Sequence, residues 1–387
     1  MATAARDLDA LNETFYVPRF EVKIRDRDLP RDVVEDVVSV TYHDTVNDLD
    51  RFDIVVNNWD ADAGKFKYEP PSETRYDGMF DPGQKVELFM GYMTNLRLML
   101  TGEITSIEPD FPQSGGPTIS VRGLNVLHKL RSTQHSYSWE NKRDSDIAAE
   151  IGSNAVSKDR PGIGITVQTN PLKSEEAQTF VLMENQYDIV FLLERARRHD
   201  YELVLYEKTD TEDRHLYFGP SRDRAQTPLF RLVYGKTLNA FRPTLSTSLQ
   251  IQDVTVRGWD RKTDELIEGK ASWDTELNPG RLYDYVQKIL PAFQSRSELV
   301  TKRPVYTQQE ADSLAKKIMR QQLQNLVTGS GAVVGLPGLR AGTKVEIGGL
   351  GERFNANYYV TDTTHTIGAS GYQTSFNARL DLPDADS

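Results

Sequence analysis

The chain has no cysteine, which excludes disulfides, thiolate metal sites and a cysteine nucleophile together. Such a chain is indifferent to the redox state of its compartment. It has no run of eighteen apolar residues, the length a membrane-crossing helix needs, so no membrane insertion is expected. Basic residues are in the minority, 46 Lys and Arg against 57 Asp and Glu, for a formal net charge of −11. Holding nucleic acid takes clustered Lys and Arg to neutralise phosphates, so stable nucleic-acid binding is not expected either. The short basic run Arg195-Ala196-Arg197-Arg198 reads as the solvated face of a helix. The opening residues MATAARDLDALNE lack the apolar core of a signal peptide. Residues 1–13 are read as a disordered lead-in, and export by that route is not expected.

What is present is an ordinary globular composition, 38% hydrophobic and 27% charged, on 387 residues, enough for two or three domains. Its most informative feature is a β-rich pattern written twice. Val86–Met90, Leu98–Glu108 and Thr118–Leu124 follow the turn Asp81-Pro82-Gly83. Lys344–Ile347, Tyr358–Ile367 and Thr374–Leu380 follow Leu336-Pro337-Gly338 in the same order. Duplicated β modules in one chain point to quasi-symmetric assembly rather than to a single catalytic pocket. Phe20–Arg25, Val33–His43 and Phe52–Asn57 add strands to the first copy, by their alternation of apolar and polar side chains. A polar excursion runs from Trp59 to Phe80.

The middle of the chain changes character. Helices are predicted at Asp144–Ala155 and Asn185–His199, the second with Ile189, Val190, Leu192, Leu193 and Ala196 on one face and Glu194, Arg195 and Arg198 opposite. A hairpin follows, Tyr201–Glu207 and His215–Gly219. Strand character returns at Leu249–Trp259 and is interrupted over 268–335, where Thr307-Gln-Gln-Glu310 forms a capping box before a long helix. The fold class expected is α+β, β-dominated: two similar β-barrel domains flanking an α/β domain. Boundaries fall at 14–132 for the first barrel, 133–240 for the α+β domain, and 241–383 for the second barrel with its helical insertion.

No catalytic constellation stands out. The six histidines, at 43, 128, 135, 199, 215 and 365, show no metal-ligand spacing, and His199 at a helix end is explained by the helix dipole. There is no GxSxG elbow. The glycine-rich stretch Gly329–Gly335 follows a helix instead of opening one, so it reads as a flexible return and not as a dinucleotide loop. Asn58, Asp60, Asp62 and Glu69 match a calcium loop only in outline, with glycine displaced to Gly64, and read as an acidic surface loop. No catalytic, cofactor-binding or metal residue is therefore nominated, and no cofactor is expected.

Several motifs together resemble one family. They are Thr101–Pro109 (TGEITSIEP), Val121–Leu130 (VRGLNVLHKL), Asp146–Gly152 (DIAAEIG), the helix and hairpin of Asn185–Glu207, Leu249–Asp260 (LQIQDVTVRGWD), and the closing Tyr358–Leu380. In order and spacing they resemble the late control D family, the baseplate hub proteins of contractile phage tails and contractile injection systems. The resemblance implies a non-enzymatic structural hub: a homotrimer whose six barrels adapt a sixfold inner tube to a threefold spike. It also implies contacts with the inner tube protein, a separate spike protein and other baseplate proteins, within a phage or injection particle. The spike is expected to be a separate chain because Ser387 closely follows the second barrel. Two other readings stay open. One is a cell-wall hydrolase at a tail tip. The other is a β-sandwich binding glycan or receptor through Trp59, Trp139, Trp259 and Trp273, with Trp259 expected on a buried strand.

Overall fold

Period-two alternation becomes strand almost throughout the computed structural model. It describes residues 6–7, 17–46, 48–68, 76, 78–93, 95–152, 165–172, 175–199, 201–207, 214–221, 227–246, 250–260, 263–277, 281–289 and 296–382. The expected lead-in at 1–13 lies almost wholly outside them. In the first module the strands are β1 (Pro18–Ile24), β2 (Val37–Thr45), β3 (Arg51–Asn57), β4 (Lys85–Tyr92), β5 (Asn95–Asp110) and β6 (Thr118–Asn125). Val86, Leu88 and Met90 of β4 are fully buried, and the residues between them face outward. The strand expected from Val33 begins later, because Arg31–Asp36 is a helical turn, α1. Pro30 opens it, its fixed φ and missing N–H suiting a helix start.

The middle segment carries β7 (Gln134–Lys142), α2 (Asp144–Gly152), β8 (Thr166–Thr169), β9 (Gln178–Tyr187), α3 (Asp188–His199) and the hairpin β10 (Tyr201–Glu207) and β11 (Arg214–Pro220). The end of the predicted first helix, 153–155, lies outside the described residues. The helices pack on the sheet β8-β11-β10 around Ile147, Ile189, Leu192, Leu216 and Phe218.

The second module holds β12 (Phe230–Val233) and β13 (Leu238–Leu245), then a long insertion. The insertion has its own sheet of β14 (Asp253–Asp260), β15 (Glu265–Ser272) and β16 (Ser297–Val300), with the helix α4 (Gln308–Gln324) packed on it. The module resumes with β17 (Val327–Val334), β18 (Lys344–Gly348), β19 (Ala356–Gly368) and β20 (Gly371–Leu380). The insertion thus spans 246–326 and takes in the strand expected to belong to the second barrel. It ends earlier than expected because Gly329–Gly335 is not a flexible return; its first six residues belong to β17. Its glycines leave room for rings. A Cβ on Gly329, Gly331 or Gly335 would lie 2.4 Å from Phe241, 2.5 Å from Phe376 and 2.0 Å from Tyr372.

The duplication is legible strand by strand. The first module orders its strands β2-β3-β6-β5-β4-β1, and the second β13-β17-β20-β19-β18-β12. Both copies bulge at the same places: Val38 in β2 matches Asn239 in β13, and Thr105 in β5 matches Thr361 in β19. The turn before the central hairpin also repeats. Gly83, with φ 90°, donates to Ile104 O at 2.7 Å, and Gly342, with φ 79°, donates to Val360 O at 2.8 Å. The counterpart of Gly83 is therefore Gly342 and not Gly338, which places Lys85-Val86-Glu87-Leu88 over Lys344-Val345-Glu346-Ile347. One edge differs, since β1 runs antiparallel to β4 whereas β12 runs parallel to β18.

Neither module closes on itself among the described residues. The closed barrels expected from the sequence are not formed; instead both copies join in one fourteen-stranded sheet. The join is β19, which pairs with β18 through Ala356–Tyr359 and, on the same side, with β2 from Asp362↔Thr45 to Ile367↔Val40. The physical reason is that β18 is too short to cover β19, and the exposed half of that edge recruits β2.

Candidate functional site: a buried polar junction between the two modules

The strands β2 and β19 bring a set of polar side chains into the interior. Asp44, Thr363, His365 and Thr374 are buried, and Tyr42 is fully so. Period-two geometry aims Tyr42 and Asp44 from β2 and Thr363 and His365 from β19 to the same side. Arg340 reaches them from the loop before β18. Its Nε donates to Asp44 Oδ2 at 2.6 Å, and Nη2 donates to Met99 O at 3.0 Å and to the Tyr42 hydroxyl oxygen. Ala341 N also donates to Asp44 Oδ2, at 3.2 Å, and the Thr363 hydroxyl donates to Oδ1. The guanidinium lies 4.7 Å from the centroid of the Tyr42 ring.

This environment sets the charges. Burial works against ionised Asp44, but the charge of Arg340 and the bonds from Arg340 and Thr363 outweigh it and hold the carboxyl below its ordinary value. The Asp50 carboxylate, beside it, accepts from Thr45 N at 3.3 Å and Asn125 Nδ2 at 3.2 Å. Burial and the nearby charge of Asp44 push Asp50 up to about 7. His365 is driven down to about 4 by burial and is neutral at pH 7. Its Nε2 lies 3.0 Å from Leu339 O, an acceptor only, so Nε2 carries the proton. Nδ1 is then left to accept from Tyr372 Oη and Thr374 Oγ1, each at 3.0 Å.

The middle segment is tied to the same place. Glu207 Oε2 accepts from Thr101 N on β5 at 2.7 Å, and Glu202 Oε2 accepts from the Tyr359 hydroxyl on β19. One strand, β10, thereby grips the matching strand of each module. Every acidic and basic group of the junction has a fixed partner, which suits a joint more than a reaction centre. Sequence reading missed this cluster because its members lie hundreds of residues apart with no motif spacing. Only the duplication could have hinted at it.

The residues weighed from the sequence are dispersed. His43 Nδ1 lies 2.9 Å from Thr364 Oγ1, His128 Nδ1 lies 2.9 Å from Asn125 O, and His135 Nδ1 lies 3.1 Å from Asp188. His215 stacks on Tyr206, with ring centroids 5.0 Å apart. His199 and Arg195 are not explained by a dipole or a solvated face: both bind the buried Asp144, at 2.7 and 2.5 Å. Glu69 lies outside the described residues. The remaining calcium-loop residues form a hairpin in which Asp60 Oδ1 accepts from Asp62 N and Ala63 N at 3.0 and 2.9 Å. Among the described residues no group of three or more His, Cys, Asp or Glu could hold a metal ion. Trp139 and Trp273 are buried, and Trp259, expected inside, is 49% exposed on β14, the middle strand of a sheet with one open face.

The family model described as "Alg8 N-terminal domain" matches residues 16–369. No curated protein sequence matches the chain. Among solved structures, the 43 kDa tail protein of prophage MuSo2 from Shewanella oneidensis superposes with a TM-score of 0.66 at 15% identity, over 95% of this chain and 99% of that one. The tail protein from Neisseria meningitidis MC58 gives 0.65 at 13%, over 95% and 97%. The E. coli c3393 protein, described as a component of the type VI secretion system, gives 0.54 at 13%, over 94% and 79%. These likenesses establish that the chain has the fold of tail proteins.

Proposed function

The chain belongs to the Alg8 N-terminal domain family; from its tail-protein fold, and not from that family's name, we propose that it is the structural baseplate hub of a contractile injection machine. Three copies form a ring that caps the inner tube, holds a separate spike protein below and anchors the neighbouring baseplate proteins. The observation that carries this reading is the module repeated with the same strand order and the same bulges, joined edge to edge within one chain. Two ring elements per chain and three chains give six similar units, which meet a sixfold tube on one side and a threefold spike on the other. In this reading residues 14–132 and the second module, which begins at Phe230 and not at 241, are the ring elements, and the segment between them braces both. The protein is made in the cytoplasm and incorporated into a phage tail or injection particle. Excess carboxylates along the bore let polyanionic cargo pass without adhering, and a strongly basic bore would remove that part of the reading.

The test is electron imaging of the purified chain, alone and mixed with its spike protein, classified for rotational symmetry. Threefold rings with six lobes around a hole are expected. Monomers in both samples would overturn the hub reading. Turnover of purified peptidoglycan would instead favour the hydrolase.

A further inference from the structure

The contact that joins the two modules inside the chain has a counterpart at the outer edges. In the first module β4 covers β5 only from Asn95 to Glu103, and β6 covers its other side from Gly102 to Asp110. Among the described residues, the β4-facing side of Ser106–Asp110 has no strand partner. It corresponds to the half of β19 that β2 occupies. At the other end, among the described residues, β13, the counterpart of β2, has β17 as its one strand partner, apart from an isolated bridge from Leu238 to Tyr234.

We infer that the β13 edge of one chain docks on the free half of β5 of the next, in the register that β2 and β19 use within the chain. The inference rests on the ring reading above and adds its contact residues. The matching bulges fix the register: Ser246 meets Ser106, Leu245 meets Ile107, Thr244 meets Glu108, Pro243 meets Pro109, Arg242 meets Asp110, and Phe241 meets Phe111.

The chemistry matches position by position. Within the chain the outward face carries two polar cross-strand pairs, Thr41 with Thr366 at 3.4 Å and His43 with Thr364 at 2.9 Å. Their counterparts are a cation facing a carboxylate, Arg242 with Asp110, and a hydroxyl facing a carboxylate, Thr244 with Glu108. On the inward face, the buried set Asp44, Thr363, Tyr42 and His365 is replaced by Leu245, Ile107, Pro243 and Pro109, which need no polar partner. Phe111, 60% exposed, stands at the end of this row against Phe66, their ring centroids 5.5 Å apart. Contact with Phe241 of the next chain would cover it.

The prolines qualify the bonding. Val46 N donates to Thr361 O at 3.1 Å, so 46/361, 44/363 and 42/365 are the hydrogen-bonded pairs of the internal contact. Pro243 and Pro109 then face each other at a hydrogen-bonded position and lack the donors for it. Bonds come from the flanking pairs Leu245/Ile107 and Phe241/Phe111. Proline is at home on an edge strand, and there it hinders a stray strand from completing a ladder on either edge.

Arg242 and Asp110 form a non-hydrogen-bonded pair, whose Cα atoms approach to about 4.5 Å, within the range a disulfide spans. The chain has no cysteine of its own. The variant carrying Asp110→Cys and Arg242→Cys, oxidised at high concentration with and without the spike protein, is expected to give covalent species that end at three chains. Moving one cysteine by two residues, to Thr244→Cys, is expected to lower the cross-linked fraction at least tenfold. Independently, Arg242→Glu is expected to lower the fraction of rings, and adding Asp110→Lys to restore it. Rings seen by imaging without the 110–242 disulfide would overturn this register and leave the hub reading standing. Disulfide-linked open chains without rings would support the edge contact and overturn the hub reading. Absence of both disulfide and rings would overturn both.

Discussion

Asp44 and Arg340 stand 296 residues apart in sequence and 2.6 Å apart in space, the carboxylate on β2 at one end of the first module's strand order and the guanidinium in the loop between β17 and β18 of the second. Their contact forms only when both copies have folded and met, so it reports directly on that joint.

Removing Arg340 would leave Asp44 buried without its cation. Losing one partner of a buried pair costs about 3–5 kcal/mol. Arg340 keeps 26% of its side-chain surface exposed, against 6% for Asp44, so water can partly take its place and the lower end applies. Arg340→Leu is expected to cost roughly 2–4 kcal/mol, read from urea unfolding. The double variant with Asp44→Asn should recover part of this, because the Asp44 charge is then no longer buried without its partner. Equal losses in single and double variants would refute the coupling.

The junction also predicts a dependence on pH. Asp50 is raised to about 7 when folded, whereas an unfolded Asp titrates near about 3.9. Between these values the folded chain keeps a proton that the unfolded chain releases, so stability from Asp50 falls as pH rises towards 7. His365 works oppositely. Held near about 4 against an unfolded value of about 6.5, it makes the chain lose stability as pH falls through that window. Asp50→Asn removes the first effect alone. It is expected to stabilise the chain at pH 8 by on the order of 1–4 kcal/mol and to give no gain at pH 4. The same gain at both values in thermal or urea unfolding would count against it.

Packing of the insertion hinges on Gly269 in β15. A Cβ there would lie 2.2 Å from the backbone carbon of Ala311, at the start of α4, and a backbone cannot swing aside as a side chain can. Gly269→Ala is expected to loosen α4 from its sheet at a cost of about 1–3 kcal/mol. Faster hydrogen exchange confined to Gln308–Gln324 and its neighbours would be the signature. Unchanged exchange would rule out the close approach.

The cap of α4 offers a smaller check. Thr307 Oγ1 accepts from Glu310 N at 3.1 Å, while the Glu310 carboxylate takes Tyr306 N at 2.7 Å and not the N–H of Thr307. Thr307→Ala is expected to cost about 1 kcal/mol, and Glu310→Gln less, since the amide oxygen can still accept. A larger loss from the second change would reverse that assignment.

Alternation of side chains decided most of the strands, and the two central hairpins could be matched from sequence because period-two burial is a local property. The helix expected at Asn185–His199 was written in its apolar face but begins only at Asp188, since 185–187 end strand β9, and the helix at Gln308–Gln324 was written in its apolar face and its Thr307 cap. Three things needed the tertiary structure. Arg195 was placed on a solvated face by its helical position, but Asp144, from another helix, takes it inside. Gly329–Gly335 looked like flexible chain, since nothing local shows that the rings of Phe241, Phe376 and Tyr372 fill the space above those glycines. The joint of Asp44, Arg340 and His365 left no trace in spacing at all. Local sequence fixes which face of a strand is apolar. Which edge meets which, and hence which charges are buried together, depends on contacts between residues hundreds of positions apart.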